Sequence, residues 1–185
     1  MKICIVSDSH DNRFLLAAAV EDAKAKGAEL VLHCGDVVAP TTLKILNPIG
    51  LPVHVIHGNN TGDLYSMGKL GHDDSSVIQY YGQDAGIELH KKKIFLVHYP
   101  HYARAMCATG DWDLVCCGHD HRAEIASHAN MRGGETWLVN PGTVGGIGRD
   151  PTYVFGDLET MSFQIEPVPI PHEYAYNSTP VTSHS

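Results

Sequence analysis

Hydrophobic positions fall first into strand-length runs separated by amphipathic stretches. Residues 2–7 have the pattern of a buried strand. Asn12 can cap a helix that runs to about Lys26 and ends at Gly27, with Phe14, Leu15, Ala18 and Ala19 on one face. A second apolar run at residues 29–33, a short helix opened by Pro40 at its first position, and a third run at residues 52–56 continue the alternation. That order predicts βαβ units and a largely parallel sheet.

From residue 77 the pattern changes to short β-like runs at 77–80, 86–90, 94–97, 114–117, 124–127, 136–139, 153–155 and 163–165, divided by turn residues. These predict a second sheet, and the stretch at 101–108 predicts a helix outside it. The expected fold class is α/β, a layered α/β/β/α sandwich of two mixed sheets flanked by helices. Residues 1–166 read as a single domain. Residues 167–185, rich in Pro, Ser, Thr and His and without periodicity, read as a C-terminal tail.

At 185 residues the chain has room for one core, so one active site is sought. No apolar run approaches the ~20 residues of a membrane span, and the opening run lacks the longer apolar region and cleavage pattern of a secretory signal. The five cysteines are odd in number, lack C-x-x-C spacing and sit mainly in apolar segments, so free thiols and a cytoplasmic location are expected. A formal charge of −8, with Lys91-Lys92-Lys93 as the one basic cluster, argues against a nucleic-acid polymer as partner. Thirteen histidines are many for this length, and their positions matter more than their number.

Asp8-Ser9-His10 follows the first predicted strand, and residues two apart in extended chain project to one side, where a carboxylate and an imidazole can meet one ion. Alone the triplet carries little, since a helix-capping aspartate beside an exposed histidine reads the same way. Gly35-Asp36 ends the second strand and Gly58-Asn59-Asn60 the third, which gathers polar side chains at the strand edge where open α/β sheets bind ligands. His98 follows the run at 94–97, and Gly118-His119-Asp120-His121 follows the run at 114–117, with two imidazoles at i and i+2.

In this order the motifs Asp8-x-His10, Gly35-Asp36, Gly58-Asn59, His98 and Gly118-His119-x-His121 resemble those of the calcineurin-like metallophosphoesterase superfamily, in its small phosphodiesterase branch. Asn140-Pro141-Gly142-Thr143 is similar to the Asn-Pro-Gly-Ser turn of that branch. The resemblance implies a phosphoesterase that hydrolyses phosphate esters, above all diesters, by in-line attack of a hydroxide between two divalent ions. It implies that Asp8, His10, Asp36 and His121 hold one ion, and that Asp36, Asn59, His98 and His119 hold the other, with Asp36 bridging. Nitrogen and oxygen donors without thiolate suit Mn²⁺ first, with Fe²⁺, Ni²⁺ or Zn²⁺ also compatible. Asn60, Asn140 and Arg149 are the candidate substrate contacts, and Asp36, His10 and Asn60 the candidate catalytic residues.

Two departures from the family pattern stand out. Many relatives carry a histidine after the ligand asparagine, whereas this chain has Asn60, whose amide cannot donate a proton at neutral pH. Relatives often carry Gly-His after the ligand corresponding to His98, whereas this chain has Tyr99-Pro100-His101. His10 or a metal-bound water is then the expected proton source. The expected partner is a small phosphate ester, homo-oligomerisation is left open, and the competing reading is a metal-binding scaffold of the same fold with little activity.

Overall fold

The computed structural model describes residues 1–73 and 75–170. In chain order the strands are β1 (Lys2–Val6), β2 (Leu30–His33), β3 (Val53–Val55), β4 (Ile78–Tyr80), β5 (Asp84–Leu89), β6 (Lys92–Val97), β7 (Leu114–Cys116), β8 (Ala123–Ala129), β9 (Glu135–Pro141), β10 (Thr152–Asp157) and β11 (Ser162–Pro167). The helices are α1 (Arg13–Ala25), α2 (Pro40–Leu43), α3 (Leu64–Leu70) and α4 (Pro100–Thr109), and a 3-10 turn at Lys44–Leu46 extends α2.

The strands form two mixed sheets, β11-β10-β1-β2-β3-β4 and β5-β6-β7-β9-β8. Strands β1 to β4 run parallel, as do β6, β7 and β9, while β10, β11, β5 and β8 join antiparallel. Alternation along β1 shows the layering. Ile3 and Ile5 pack between the sheets with Leu32, Leu96 and Leu114, whereas Cys4 and Val6 face Leu16, Val20 and Leu43 on the helical side. Behind the second sheet, Val115, Cys117 and Leu138 pack against Ala103 and Cys107 of α4. This is the α/β/β/α order that the two kinds of apolar run predict.

Local signals act as expected at the helix ends. Asn12 Oδ1 accepts the Leu15 N–H at 3.2 Å, Pro40 and Pro100 occupy the first turns of α2 and α4, and Gly110 ends α4 at φ +73°. Helix α3 is not anticipated by the sequence pattern. It is seven residues long, contains Gly68, and is started by Asp63, whose side chain accepts the Ser66 N–H at 3.0 Å. The packed chain runs slightly beyond residue 166, since Pro167 pairs with Thr152 and Val168 is buried; residues 171–185 of the expected tail lie outside the described residues. All five cysteines are free and buried. Among the described residues no helix is long and apolar enough to cross a membrane.

Candidate metal centre

The C-terminal ends of β1, β2 and β3 in one sheet and of β6 and β7 in the other converge, and their loops are tied together by the backbone. The Asp8 N–H donates to Gly35 O at 3.0 Å, the His10 N–H to Asp36 O at 3.0 Å, and the Gly118 N–H to His98 O at 2.9 Å. Five of the seven expected ligand residues, Asp8, His10, Asp36, His119 and His121, have left-handed backbone, with φ of 54°, 42°, 54°, 76° and 57°. Each such conformation costs ~1–2 kcal/mol for a residue with a Cβ, so this concentration marks a place where aim outweighs local comfort.

Two glycines permit the convergence. A Cβ on Gly58 would collide with Asp36 Oδ1 and come within 2.7 Å of His98 Nε2. One on Gly118 would collide with Ser7 Oγ and lie 2.5 Å from Asp8 Oδ2. The absence of a side chain at these positions, rather than turn geometry alone, lets the carboxylates and imidazoles close up.

Two groups of metal-competent atoms result, Asp8 with His10 and His121, and Asp8 with Asp36 and His98. His121 Nε2 lies 3.4 Å and His10 Nε2 3.8 Å from Asp8 Oδ1, and the two Nε2 atoms are 3.3 Å apart. On the other side His98 Nε2 lies 3.3 Å from Asp36 Oδ1 and 3.1 Å from Asn59 Oδ1. Asp8 is common to both groups, and Asp36, a member of the second, reaches toward the first, its Oδ2 lying 3.7 Å from His10 Nε2. The His119 ring stands edge-on to His98, with centroids 5.2 Å apart, while its backbone N–H donates to Asp8 Oδ2 at 2.9 Å. Its side chain is in neither group.

The donor set fits a divalent cation. His98 Nδ1 lies 2.8 Å from Cys34 O and His121 Nδ1 2.8 Å from Ile147 O, so each donates that proton to a carbonyl and turns the Nε2 lone pair toward the carboxylates. Acceptors facing acceptors require a positive charge between them, a proton or a cation. Asp8 Oδ1, fully buried and without a hydrogen-bond partner among the described residues, lies where a cation would meet it. The electrostatics separate the two carboxylates. Burial raises Asp8 above the usual carboxylate range. At Asp36 burial is outweighed by hydrogen bonding from His98 and Asn60, and the carboxyl is held well below that range. His98 is held upward, Asp36 and Asp8 overcoming the opposite pull of burial.

The three expected substrate contacts have different surroundings. Asn60 uses its backbone N–H and side-chain amide on the two oxygens of Asp36, at 2.8 and 2.6 Å. Asn140 is buried, its Nδ2 donates to Gly118 O and Asp120 Oδ1 at 3.1 and 2.9 Å, and its Oδ1 accepts the Gly142 N–H at 3.0 Å. These bonds tie it to the loop that carries His119 and His121. Arg149 is exposed, two residues from the Ile147 carbonyl that orients His121. Sequence reasoning missed His33, which is fully buried, with Nε2 3.1 Å from Ser9 Oγ and Nδ1 accepting the Gly35 N–H at 3.3 Å. A histidine inside the apolar run before Gly35-Asp36 was the available signal.

The model of the calcineurin-like phosphoesterase superfamily domain matches residues 1–161. The chain is 29% identical over 146 residues to a phosphodiesterase of Methanocaldococcus jannaschii, covering 77% of this chain and 83% of that protein. In fold it is similar to a solved archaeal phosphodiesterase, with a TM-score of 0.78 at 24% identity, covering 90% of this chain and 99% of that one. It is also similar to the phosphoesterase YfcE of E. coli, with a TM-score of 0.62 at 18% identity, covering 91% of this chain and 100% of that one. With the family model matching residues 1–161 of 185, the chain belongs to the calcineurin-like phosphoesterase superfamily.

Proposed function

We propose that this chain is a two-metal phosphodiesterase, in which Asp8, His10, Asp36 and His121 hold one ion and Asp36, Asn59, His98 and His119 the other. The observation that carries the reading is the position of Asp36, with one oxygen facing His98 and the other facing His10. Two divalent ions, Mn²⁺ being the best match to the donors, would supply a water of lowered pKa and neutralise the phosphate oxygens of an in-line displacement.

The chain's own groups prepare that chemistry. Asp36 stays ionised, and Asn60 fixes both its oxygens. Backbone carbonyls of Cys34 and Ile147 set the His98 and His121 tautomers, and Arg149, exposed two residues beyond Ile147, is our candidate for a phosphate contact. Because the Asn60 amide is engaged on Asp36 and cannot give up a proton, and His10 Nε2 is committed to the ion in this reading, a metal-bound water is the proton source left for the leaving oxygen. Diesters therefore suit the site better than monoesters, which demand more charge neutralisation at that oxygen. Five free, buried cysteines fit a reducing compartment such as the cytoplasm.

Purified protein loaded with Mn²⁺ should hydrolyse bis(4-nitrophenyl) phosphate faster than 4-nitrophenyl phosphate at equal metal content. A faster monoester would overturn the diester assignment, and full metal content with no hydrolysis of either ester would favour the scaffold.

A further inference from the structure

Beside the second proposed ion position, Asn59 and His98 form one wall of a pocket of about 300 Å³, whose other walls include Thr61, Leu64, Gln83 and Tyr99. No lysine, arginine, aspartate or glutamate lines it, although the chain carries 13 basic and 21 acidic residues. A second phosphate would find no lysine or arginine here, and a cationic group no carboxylate. What the lining offers instead is a phenol ring, an isopropyl-like edge from Leu64, a hydroxyl and two amides, which present donors and acceptors together. The volume lies at the lower end of the ~300–1,000 Å³ typical of small-molecule sites, room for one ring system rather than a polymer.

Tyr99 gives the pocket its aromatic wall, and its ring is held in place from behind. It stands edge-on to His119 and His98, with centroids 4.8 and 5.4 Å away, and to Tyr102 at 5.7 Å. The hydroxyl of Tyr99 and the amide of exposed Gln83 have no hydrogen-bond partner among the described residues. A rigid ring face with unpaired polar groups beside it suits a flat, neutral, hydrogen-bonding ring.

We infer that this pocket receives one alcohol component of the ester, a neutral ring-bearing group of nucleoside size, and that Tyr99 determines the preference by stacking. The inference rests on the two-metal reading, because the phosphate must be anchored beside Asn59 and His98 for its substituent to enter.

The test is direct binding to the Mn²⁺-loaded full chain by calorimetry, comparing methyl phosphate with thymidine 5′-monophosphate. The nucleotide should bind about tenfold tighter, the scale of one base stacked on one aromatic side chain. Tyr99→Ala should reduce the difference to within about twofold while metal content and methyl phosphate affinity stay unchanged. Thr61→Trp, at an exposed position, should fill the pocket and give the same collapse if Tyr99→Ala folds poorly. Equal binding of the two phosphates by the wild type, or a nucleotide advantage that survives both substitutions, would overturn the pocket assignment alone. Failure to hold metal, with neither phosphate bound, would overturn the two-metal reading and this inference with it.

Discussion

Asn60 holds both carboxylate oxygens of Asp36, one through its backbone N–H at 2.8 Å and the other through its side-chain amide at 2.6 Å. Only the second bond depends on the side chain. Asn60→Ala should therefore leave Asp36 half-held and weaken metal binding by ~10–100-fold, the usual effect of removing a group that orients a ligand. Competition with a fluorescent chelator measures this. Unchanged metal affinity with a lower kcat would move Asn60 from holding Asp36 to acting on the leaving group.

Gly58 and Gly68 should respond oppositely to alanine. At Gly58 the new methyl collides with Asp36 Oδ1 and crowds His98, so activity should be lost and stability should fall by ~1–3 kcal/mol. At Gly68, inside α3, the methyl meets nothing within 4 Å and the backbone is helical, so stability should rise by ~0.5–1 kcal/mol with activity unchanged. Denaturant unfolding and one turnover assay on each variant check both. A Gly58→Ala protein with normal activity would contradict the close-approach argument.

Lys26, at the end of α1, joins three elements, lying 2.8 Å from Asp22, 2.9 Å from the Tyr153 hydroxyl and 3.0 Å from Glu166. Asp22 is held below its ordinary value, burial being outweighed by hydrogen bonds from Lys26 and Tyr153. Its contribution is complete above the ordinary carboxylate pKa of ~3.9 and fades as pH falls through the lowered folded value. Lys26 is held above its ordinary value, its partners outweighing burial, so its contribution is fully present below ~10.4 and is lost only at higher pH. Lys26→Met should cost about 1 kcal/mol between neutral pH and pH ~5, kept small by solvent screening of a side chain 37% exposed. That difference should shrink below pH ~4. Unfolding of both proteins across this range is the measurement, and a difference that grows on acidification would contradict the network.

The sheets and the ligand edge were legible because both are written in short-range pattern. The unbroken apolar run within residues 2–7 marks β1 as a strand buried on both faces, and Asp8, Asp36, Asn59, His98 and His121 each follow such a run closely. What was not legible depends on contacts distant in sequence. Helix α3 has seven residues and a central glycine, so its propensity is weak, and its buried Met67 and Leu70 join a core assembled from other segments. Asn140 reads as a polar loop residue until the fold brings it to Gly118 and Asp120, 22 and 20 residues away. The grip of Asn60 on Asp36 spans 24 residues, and no local spacing reveals that an amide is already occupied.

The central claim is that one carboxylate, Asp36, serves two ions, and metal stoichiometry tests it most directly. Elemental analysis of the purified chain after dialysis against Mn²⁺ should give two ions per wild-type chain. Asp36→Asn, which keeps the shape and removes the charge, should bind neither ion firmly and should lose hydrolysis of bis(4-nitrophenyl) phosphate. Two ions retained by Asp36→Asn with near-normal turnover would contradict the bridging role and the two-metal reading built on it.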